Sequence, residues 1–232
     1  MIFIFYKYEA SGNDFILIED YFEDYQELSQ KLCQEHYSIG ADGLIVYLNN
    51  PLEMKIFNKD GSNAKMCGNG LRIFAYHHYL KTKETKFNVI VNNEEKQCLI
   101  KDNLVTVALG EGKNYQKKGD NYYIELGVPH IITFNEDFCN LNNVMHLNAN
   151  IDFVNVYNQK AFQIKTCERG VGFTKACGSG AGAAFLVLRS LGLICNMATV
   201  YFDNDAALLY EDKKVFLSGK VKLVFKGELI DG

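Results

Sequence analysis

The chain carries one short pattern twice. Lys65-Met66-Cys67-Gly68-Asn69-Gly70 and Lys175-Ala176-Cys177-Gly178-Ser179-Gly180 both read Lys-x-Cys-Gly-x-Gly. Each runs straight into an apolar, helix-forming stretch, Leu71 to Tyr76 in the first case and Ala181 to Leu188 in the second. A glycine-flanked loop that enters a helix presents backbone N–H groups with no intrahelical partner. Such a loop attracts anions and lowers the pKa of a cysteine placed there. The pattern predicts two related halves, each with one activated thiol beside one carboxylate-binding nest. A single cysteine in apolar company is usually a buried small hydrophobe. Two in register within a repeated pattern point to chemistry instead. Two thiols can flank one carbon from opposite faces, one removing a proton and the other returning one. That is what a cofactor-free racemase or epimerase requires.

Composition narrows the field. The 232 residues suffice for one large domain or two small ones. The net charge of -4, without a long basic run, argues against nucleic acid as a partner. No apolar run reaches membrane-spanning length. The apolar start, Met1 to Phe5, is too short for a signal peptide and lacks its basic region, so a soluble, cytoplasmic protein is expected. The seven cysteines are odd in number and irregular in spacing, which argues against a disulfide framework. No Cys-x-x-Cys occurs, and the adjacent His77 and His78 point in different directions on a helix. A metal site is therefore not expected.

Along the chain, alternation predicts strands at Ile2 to Lys7, Phe15 to Ile18, Leu44 to Leu48 and Glu53 to Asn58, with a helix over Asp24 to Glu35. Asn13 lies in the turn Glu9 to Asp14, and Asn58 closes a half-buried strand; either can cap local backbone or face a ligand. A helix is expected from about Asn69 to Leu80. The polar, glycine-bounded stretch Gly110 to Gly119 reads as a domain crossing. Strands follow at Tyr122 to Leu126, Ile131 to Phe134, Ile151 to Val156 and Ala161 to Thr166. The stretch Asn135 to Met145 is loosely patterned. His130, alone after a proline, is by itself more often a core-edge residue than a catalyst. Glu168 and Arg169 in a glycine-bounded turn form either a surface pair of little energetic weight or an amino-acid contact. A second helix and a closing antiparallel set complete the chain. Both halves repeat strands, a turn, the thiol loop, a helix and more strands. The pattern predicts two domains with a cleft between them, dividing in the Gly110 to Gly119 stretch.

Several further motifs now read together. Ser11-Gly12-Asn13-Asp14-Phe15, Gly40-Ala41-Asp42-Gly43, Phe57 to Gly70, Pro129-His130, Asn150-Ile151-Asp152-Phe153 and Glu168 to Gly180 occur in order over nearly the whole chain. Together they resemble the diaminopimelate epimerase family. The resemblance implies an α+β fold of two similar domains, 1–110 completed by the strand 220–232, and 111–219, each a barrel-like, mostly antiparallel sheet wrapped around a central helix. It implies interconversion of LL- and meso-2,6-diaminoheptanedioate with no cofactor and no metal, and a homodimer acting on a small amino-acid substrate. Cys67 and Cys177 would be the acid/base thiols. Asn13, Asn58, Asn69 and Asn150 would hold the distal end with Arg169. Gly68, Gly178 and Ser179 would hold the reacting carboxylate, and Glu168 and His130 would sit at the reacting ammonium. Val128 stands where the family has asparagine before Pro-His, Phe173 where it has an acidic residue, and Ser179 where threonine is usual. A related racemase of another amino acid, and a non-catalytic binding protein of the same fold, are the alternatives.

Overall fold

The computed structural model describes residues 2–64 and 66–230, so Met1 and the first lysine of the repeated pattern, Lys65, lie outside the described residues. The fold is α+β, a large mixed sheet with few helices. The chain divides into two compact units, residues 1–107 with 220–232, and residues 108–219. The first begins with β1 (Ile2–Ala10), β2 (Asn13–Ile18), α1 (Tyr25–Leu32), β3 (Gly43–Asn49), β4 (Leu52–Asn58) and α2 (Gly68–Thr82). Then come β5 (Lys86–Val91), β6 (Glu94–Lys101) and β7 (Leu104–Gly110), whose last residues enter the second unit. That unit continues with β8 (Lys113–Lys118), β9 (Asn121–Leu126), β10 (Val128–Thr133), α3 (Leu141–Leu147), β11 (Asn150–Asn158) and β12 (Ala161–Glu168). It ends with β13 (Gly172–Thr174), α4 (Gly178–Ser190), β14 (Met197–Tyr201), β15 (Ala206–Asp212) and β16 (Lys214–Gly219). Strand β17 (Lys222–Ile230) returns to the first unit and pairs antiparallel with β1.

Strand periodicity explains the first unit. Successive side chains of a strand point to opposite faces. Leu44 and Val46 of β3 join Phe3, Phe5, Ile16, Ile18, Leu32 and Phe57 in the core beneath α1. Their neighbours face the other way: Tyr47 stacks on Phe74 of α2 at 4.9 Å between ring centroids. A strand covered by helices on both faces reads as a continuous apolar run, as Leu44-Ile45-Val46 does. Asp24 starts α1 by accepting from the Gln26 and Glu27 N–H groups at 2.8 and 3.0 Å. Helix α2 is buried from Gly68 through Ala75 and again at His77 and His78, and packs on β1, β2, β3, β4 and β6. Gly43 has no side chain because β4 leaves no room. A Cβ there would stand 2.5 Å from the Phe57 carbonyl oxygen.

The second unit alternates in the same way with one change. Ile131 of β10, Ile151 of β11 and Cys167 of β12 face an apolar core closed by Val144 of α3. His130, Asp152 and Thr166 alternate with them on these strands, and Asp152 faces Gly180 of α4. Helix α4 packs on β9, β10, β11, β12, β15 and β16. The polar stretch expected to cross between domains, Gly110 to Gly119, contains β8, which is paired with β9. Every side chain of β8 is exposed, so it carries no alternation. The loosely patterned segment after Phe134 resolves into a short 3-10 turn, Glu136–Phe138, and α3, which begins on an Asn140 cap. No helix of the described residues is long and apolar enough to cross a membrane.

His77 and His78 diverge as expected. His77 Nδ1 meets the Tyr8 hydroxyl at 2.8 Å and its Nε2 meets Glu19 at 3.1 Å, whereas His78 Nδ1 meets Tyr47 at 2.9 Å. Burial pulls the His77 pKa from 6.5 down to about 4, against the raising effect of Glu19. Above the unfolded value the ring is neutral in both states and contributes nothing. As pH falls, the unfolded chain takes the proton first, so stability is lost between 6.5 and about 4. The loss from this ring is on the order of 3 kcal/mol. Urea midpoints measured across that window fall for the native chain, and the His77→Gln variant loses most of the slope.

Candidate functional site

Both thiols of the repeated pattern occupy the same structural position. Cys67 is the N-cap of α2 and Cys177 the N-cap of α4, each with extended backbone. Each sulfur accepts from the N–H of the residue three positions on, Gly70 or Gly180, and both contacts measure 3.3 Å. An extended cap residue lets its side chain fold back over the first turn and occupy one free donor. The glycines that follow keep the other donors uncovered.

The two copies diverge at the residue after Cys-Gly. In the first unit, Asn69 donates to Asn13 Oδ1 at 2.6 Å and accepts from Arg72 at 2.7 Å. Asn13 in turn donates to Asp42 at 3.1 Å. Arg72 is fully buried and also donates to the Ser11 hydroxyl at 2.8 Å and to the Lys220 carbonyl at 3.2 Å. Asn13 and Asn69 are therefore brought together, with both amides oriented. Asn58 is not joined to them by these bonds. Its side-chain amide donates to Ser62 at 2.9 Å, and its carbonyl takes the Ser29 hydroxyl at 2.8 Å. Gly68 is buried in the first turn of α2.

In the second unit, Ser179 lies 3.5 Å from the Cys177 sulfur and 3.1 Å from His130 Nε2. His130 Nδ1 contacts Asp152 Oδ2 at 2.7 Å, and Asp152 Oδ1 accepts from the Thr166 hydroxyl at 2.7 Å. Strand pairing builds this cluster. In the parallel pair β10–β11, His130 stands beside Asn150, while in β11–β12 Asp152 stands beside Thr166. Asn150 accepts the Arg169 N–H at 2.9 Å, and the exposed Arg169 guanidinium reaches Asn148 at 2.8 Å. Glu168, at the end of β12, accepts from Thr174 at 2.8 Å. Gly178 is buried at the first position of α4. The side chain of Phe173 is exposed beneath the Lys165 ammonium.

The electrostatics of Cys177 run against the expected activation by a helix start. Its thiol is pushed well above the ordinary range, first by burial and then by the charges of Glu168 and Asp152. The Gly180 N–H, which donates to the sulfur, pulls the other way and is outweighed. Burial likewise raises the Glu168 carboxyl. No group of three or more His, Cys, Asp or Glu side chains among the described residues is arranged to hold a metal ion.

Asp152, Thr166, Asn148, Asp42 and Arg72 belong to these networks and were not among the candidate residues drawn from the sequence. For Asp152 the signal was present. It is the one charged residue in an otherwise apolar strand start, two positions after Asn150 and so on the same face.

The glycines that close the two patterns meet different neighbours. A Cβ on Gly180 would overlap the Asp152 carboxylate, which is pinned by His130 and Thr166. A Cβ on Gly70 would meet the Ile56 Cδ1 methyl at 2.8 Å, the movable end of a side chain. Gly180→Ala is expected to destabilise the chain by about 1–3 kcal/mol. Gly70→Ala is expected to cost less, because alanine's helix propensity, worth about 1 kcal/mol, offsets part of the crowding. Paired urea titrations of the two variants measure the difference.

Comparison with known proteins agrees with this geometry. The diaminopimelate epimerase family model matches residues 5–115. A diaminopimelate epimerase of Caldanaerobacter subterraneus subsp. tengcongensis is 36% identical over 278 residues, covering 97% of this chain and 98% of that one. One from Nitratiruptor sp. is 35% identical, covering 95% of this chain and 96% of that one. Solved structures at low identity share the fold. A PhzF-family phenazine biosynthesis protein of Bacillus anthracis has a TM-score of 0.73 at 14% identity, covering 100% of each chain. A probable proline racemase of Agrobacterium radiobacter, solved with bound carbonate, has a TM-score of 0.72 at 10% identity, covering 99% of this chain and 93% of that one.

Proposed function

The chain belongs to the diaminopimelate epimerase family, and from that premise we propose that Cys67 and Cys177 are the acid and the base that invert one α-carbon of 2,6-diaminoheptanedioate. The observation that carries this reading is the matched pair of thiol caps, each sulfur held at 3.3 Å from the third N–H of its own helix. Inversion needs a base on one face of the carbon and an acid on the other. The α-proton of an amino acid is very weakly acidic, so negative charge on the substrate carboxylate must be stabilised as the proton leaves. Uncovered N–H groups at Gly68, Gly178 and Ser179 supply preorganised donors for it. The scheme draws acid, base and anion-stabilising donors from the chain itself and uses no metal and no pyridoxal group.

The remaining roles follow from chemistry. Glu168 and His130 sit near the reacting ammonium and support proton removal. Arg169, held by Asn148 with its guanidinium exposed, takes the distal carboxylate through paired donors. Asn13, Asn58, Asn69 and Asn150 serve the distal amino-acid end. The domains of this reading are 1–110 with 220–232, and 111–219, each a barrel-like sheet around α2 or α4. It further holds that the protein is a cytoplasmic homodimer. Val128 leaves the distal end one amide short of the family pattern, which favours testing other amino acids as substrates alongside diaminoheptanedioate.

Cys67→Ala and Cys177→Ala are each expected to abolish epimerisation, with Cys33→Ala and Cys98→Ala close to native. In heavy water, starting from one isomer, early product carries solvent deuterium at the α-carbon while unconverted substrate carries little. Substrate labelled as heavily as product overturns the paired-thiol scheme in favour of a single exchanging base. Arg169→Lys keeps the charge but loses the planar fork. It should lower kcat/KM by tenfold or more, from a loss of about 1.5–3 kcal/mol in charge-assisted hydrogen bonding. Near-native kinetics would place Arg169 outside the site.

A further inference from the structure

The floor beneath the second thiol is unlike the floor beneath the first. Below α2 the space facing Gly70 is filled by the Ile56 and Ile45 side chains. Below α4 the corresponding space holds the Asp152 carboxylate, fully buried and pressed against Gly180. A carboxylate placed there is an expensive feature unless its oxygens are satisfied. They are: Oδ1 by Thr166 and Oδ2 by His130, each at 2.7 Å.

That arrangement dictates where hydrogens lie. An ionised carboxylate only accepts, so the hydrogen between Asp152 and His130 sits on His130 Nδ1. In a neutral imidazole the other nitrogen, Nε2, then carries a lone pair. Ser179 Oγ, 3.1 Å away, donates its hydrogen to that lone pair. With its hydrogen committed, Ser179 Oγ can only accept from the Cys177 sulfur at 3.5 Å. Every bond in the row therefore points one way, from sulfur to hydroxyl to imidazole to carboxylate. The Glu168 carboxylate, at the end of β12, adds its charge against ionisation of the thiol. The charged groups acting on the sulfur are thus Glu168 from β12 and Asp152 from β11, with the titratable His130 of β10 beyond the Ser179 hydroxyl, and the Gly180 N–H donates to the sulfur.

We propose that Asp152 is a positioning residue that, through His130 and Ser179, aligns this hydrogen-bond row and holds Cys177 in its protonated form at rest, as the acid of the pair. The assignment rests on the two-thiol reading above and deepens it. A base and an acid must coexist for inversion, and Cys67 is then the resting thiolate. The thiol's elevated pKa agrees with this, since burial and two carboxylates oppose its ionisation. After Cys177 has given its proton to the substrate carbon, the row favours its reprotonation before the next turnover. The free enzyme thus returns to one protonation form rather than dividing between two.

Asp152→Asn tests the alignment, because an amide of nearly the same shape can donate. With the introduced amide N–H donating to His130 Nδ1, the imidazole hydrogen moves to Nε2, Ser179 is left to donate, and a donor now faces the sulfur. Two NMR readouts on the full-length, ligand-free protein follow this. Labelling of histidine with nitrogen-15, with His130→Gln for assignment, reports the tautomer. Labelling of cysteine Cβ with carbon-13, with Cys177→Ala for assignment, reports thiol or thiolate. The native chain is expected to show His130 neutral with the hydrogen on Nδ1, and Cys177 as thiol throughout the neutral range. In Asp152→Asn the His130 hydrogen moves to Nε2 and Cys177 ionises at lower pH, by a shift equivalent to about tenfold or more in thiolate population. Epimerisation at neutral pH falls, and its optimum moves toward acid, as the acid of the pair is lost. A native chain whose His130 is an imidazolium, or carries its hydrogen on Nε2, overturns the proposal, and this holds even if the variant fails to fold. An Asp152→Asn chain that folds but keeps the native tautomer and the native Cys177 titration overturns it as well. A native chain with the expected tautomer and thiol but no epimerase activity refutes the substrate reading and leaves the alignment standing. An active epimerase with the wrong tautomer refutes the alignment alone.

Discussion

A cysteine at the start of a buried helix is the constraint on which both units are organised. The sulfur must turn back to meet the third N–H, so the cap residue is extended and the next residues must pass close to the surrounding strands. That explains the glycines: Gly70 and Gly180 face neighbours that leave a Cβ too little room. It also explains why α2 and α4 are buried over most of their length. A helix enclosed by strands has no solvent face to mark. Each sulfur is thereby fixed to the start of a buried helix rather than to a surface loop.

The same constraint was solved with opposite chemistry in the two copies. In the first unit the residue after Cys-Gly is Asn69, and its amide leads to a buried guanidinium, Arg72. In the second it is Ser179, and its hydroxyl leads to a buried carboxylate, Asp152, through His130. One thiol helix therefore has a buried guanidinium in its network and the other a buried carboxylate. Buried ionic groups of this kind are weak contributors to stability, because desolvation cancels much of their attraction. Their value here is orientation: each side-chain amide, hydroxyl and ring has its donors and acceptors assigned by the charge at the end of the row.

Much of this could be read from residues alone, and the parts that could not have identifiable physical causes. Short-range pattern was enough for the thiol caps and for strands such as β3 and β11, because helix starts and strand patterning are local, whereas only the family resemblance grouped Asn13 with Asn69, 56 residues apart. The strand β8 escaped notice because all its side chains are exposed and its place is set by the ladder to β9. Asp152 escaped because its meaning depends on β10 lying parallel to β11, a pairing between segments that nothing local specifies. Within Ile151 to Val156 it reads only as a break in an apolar strand. The sign of the Cys177 shift escaped for a related reason. A helix start predicts a lowered pKa, but the outcome is set by burial and by carboxylates delivered from β11 and β12.

Symmetry of position with asymmetry of charge is what a two-thiol reaction demands. Two identical thiol sites would ionise together, giving two acids at low pH and two bases at high pH, with a usable pair only in a narrow window between. Separating their environments widens that window, as pairs of titratable groups pushed apart in pKa commonly do at catalytic sites. Two identical caps alone would present two equal thiols. The substitutions that matter most are then those that leave the caps alone and change what lies beneath them. Ile56 with Ile45 on one side, and Asp152 with His130 and Thr166 on the other, are that difference in this chain. Gly180 marks how closely the second arrangement is fitted, since the carboxylate occupies the volume that any larger residue there would need.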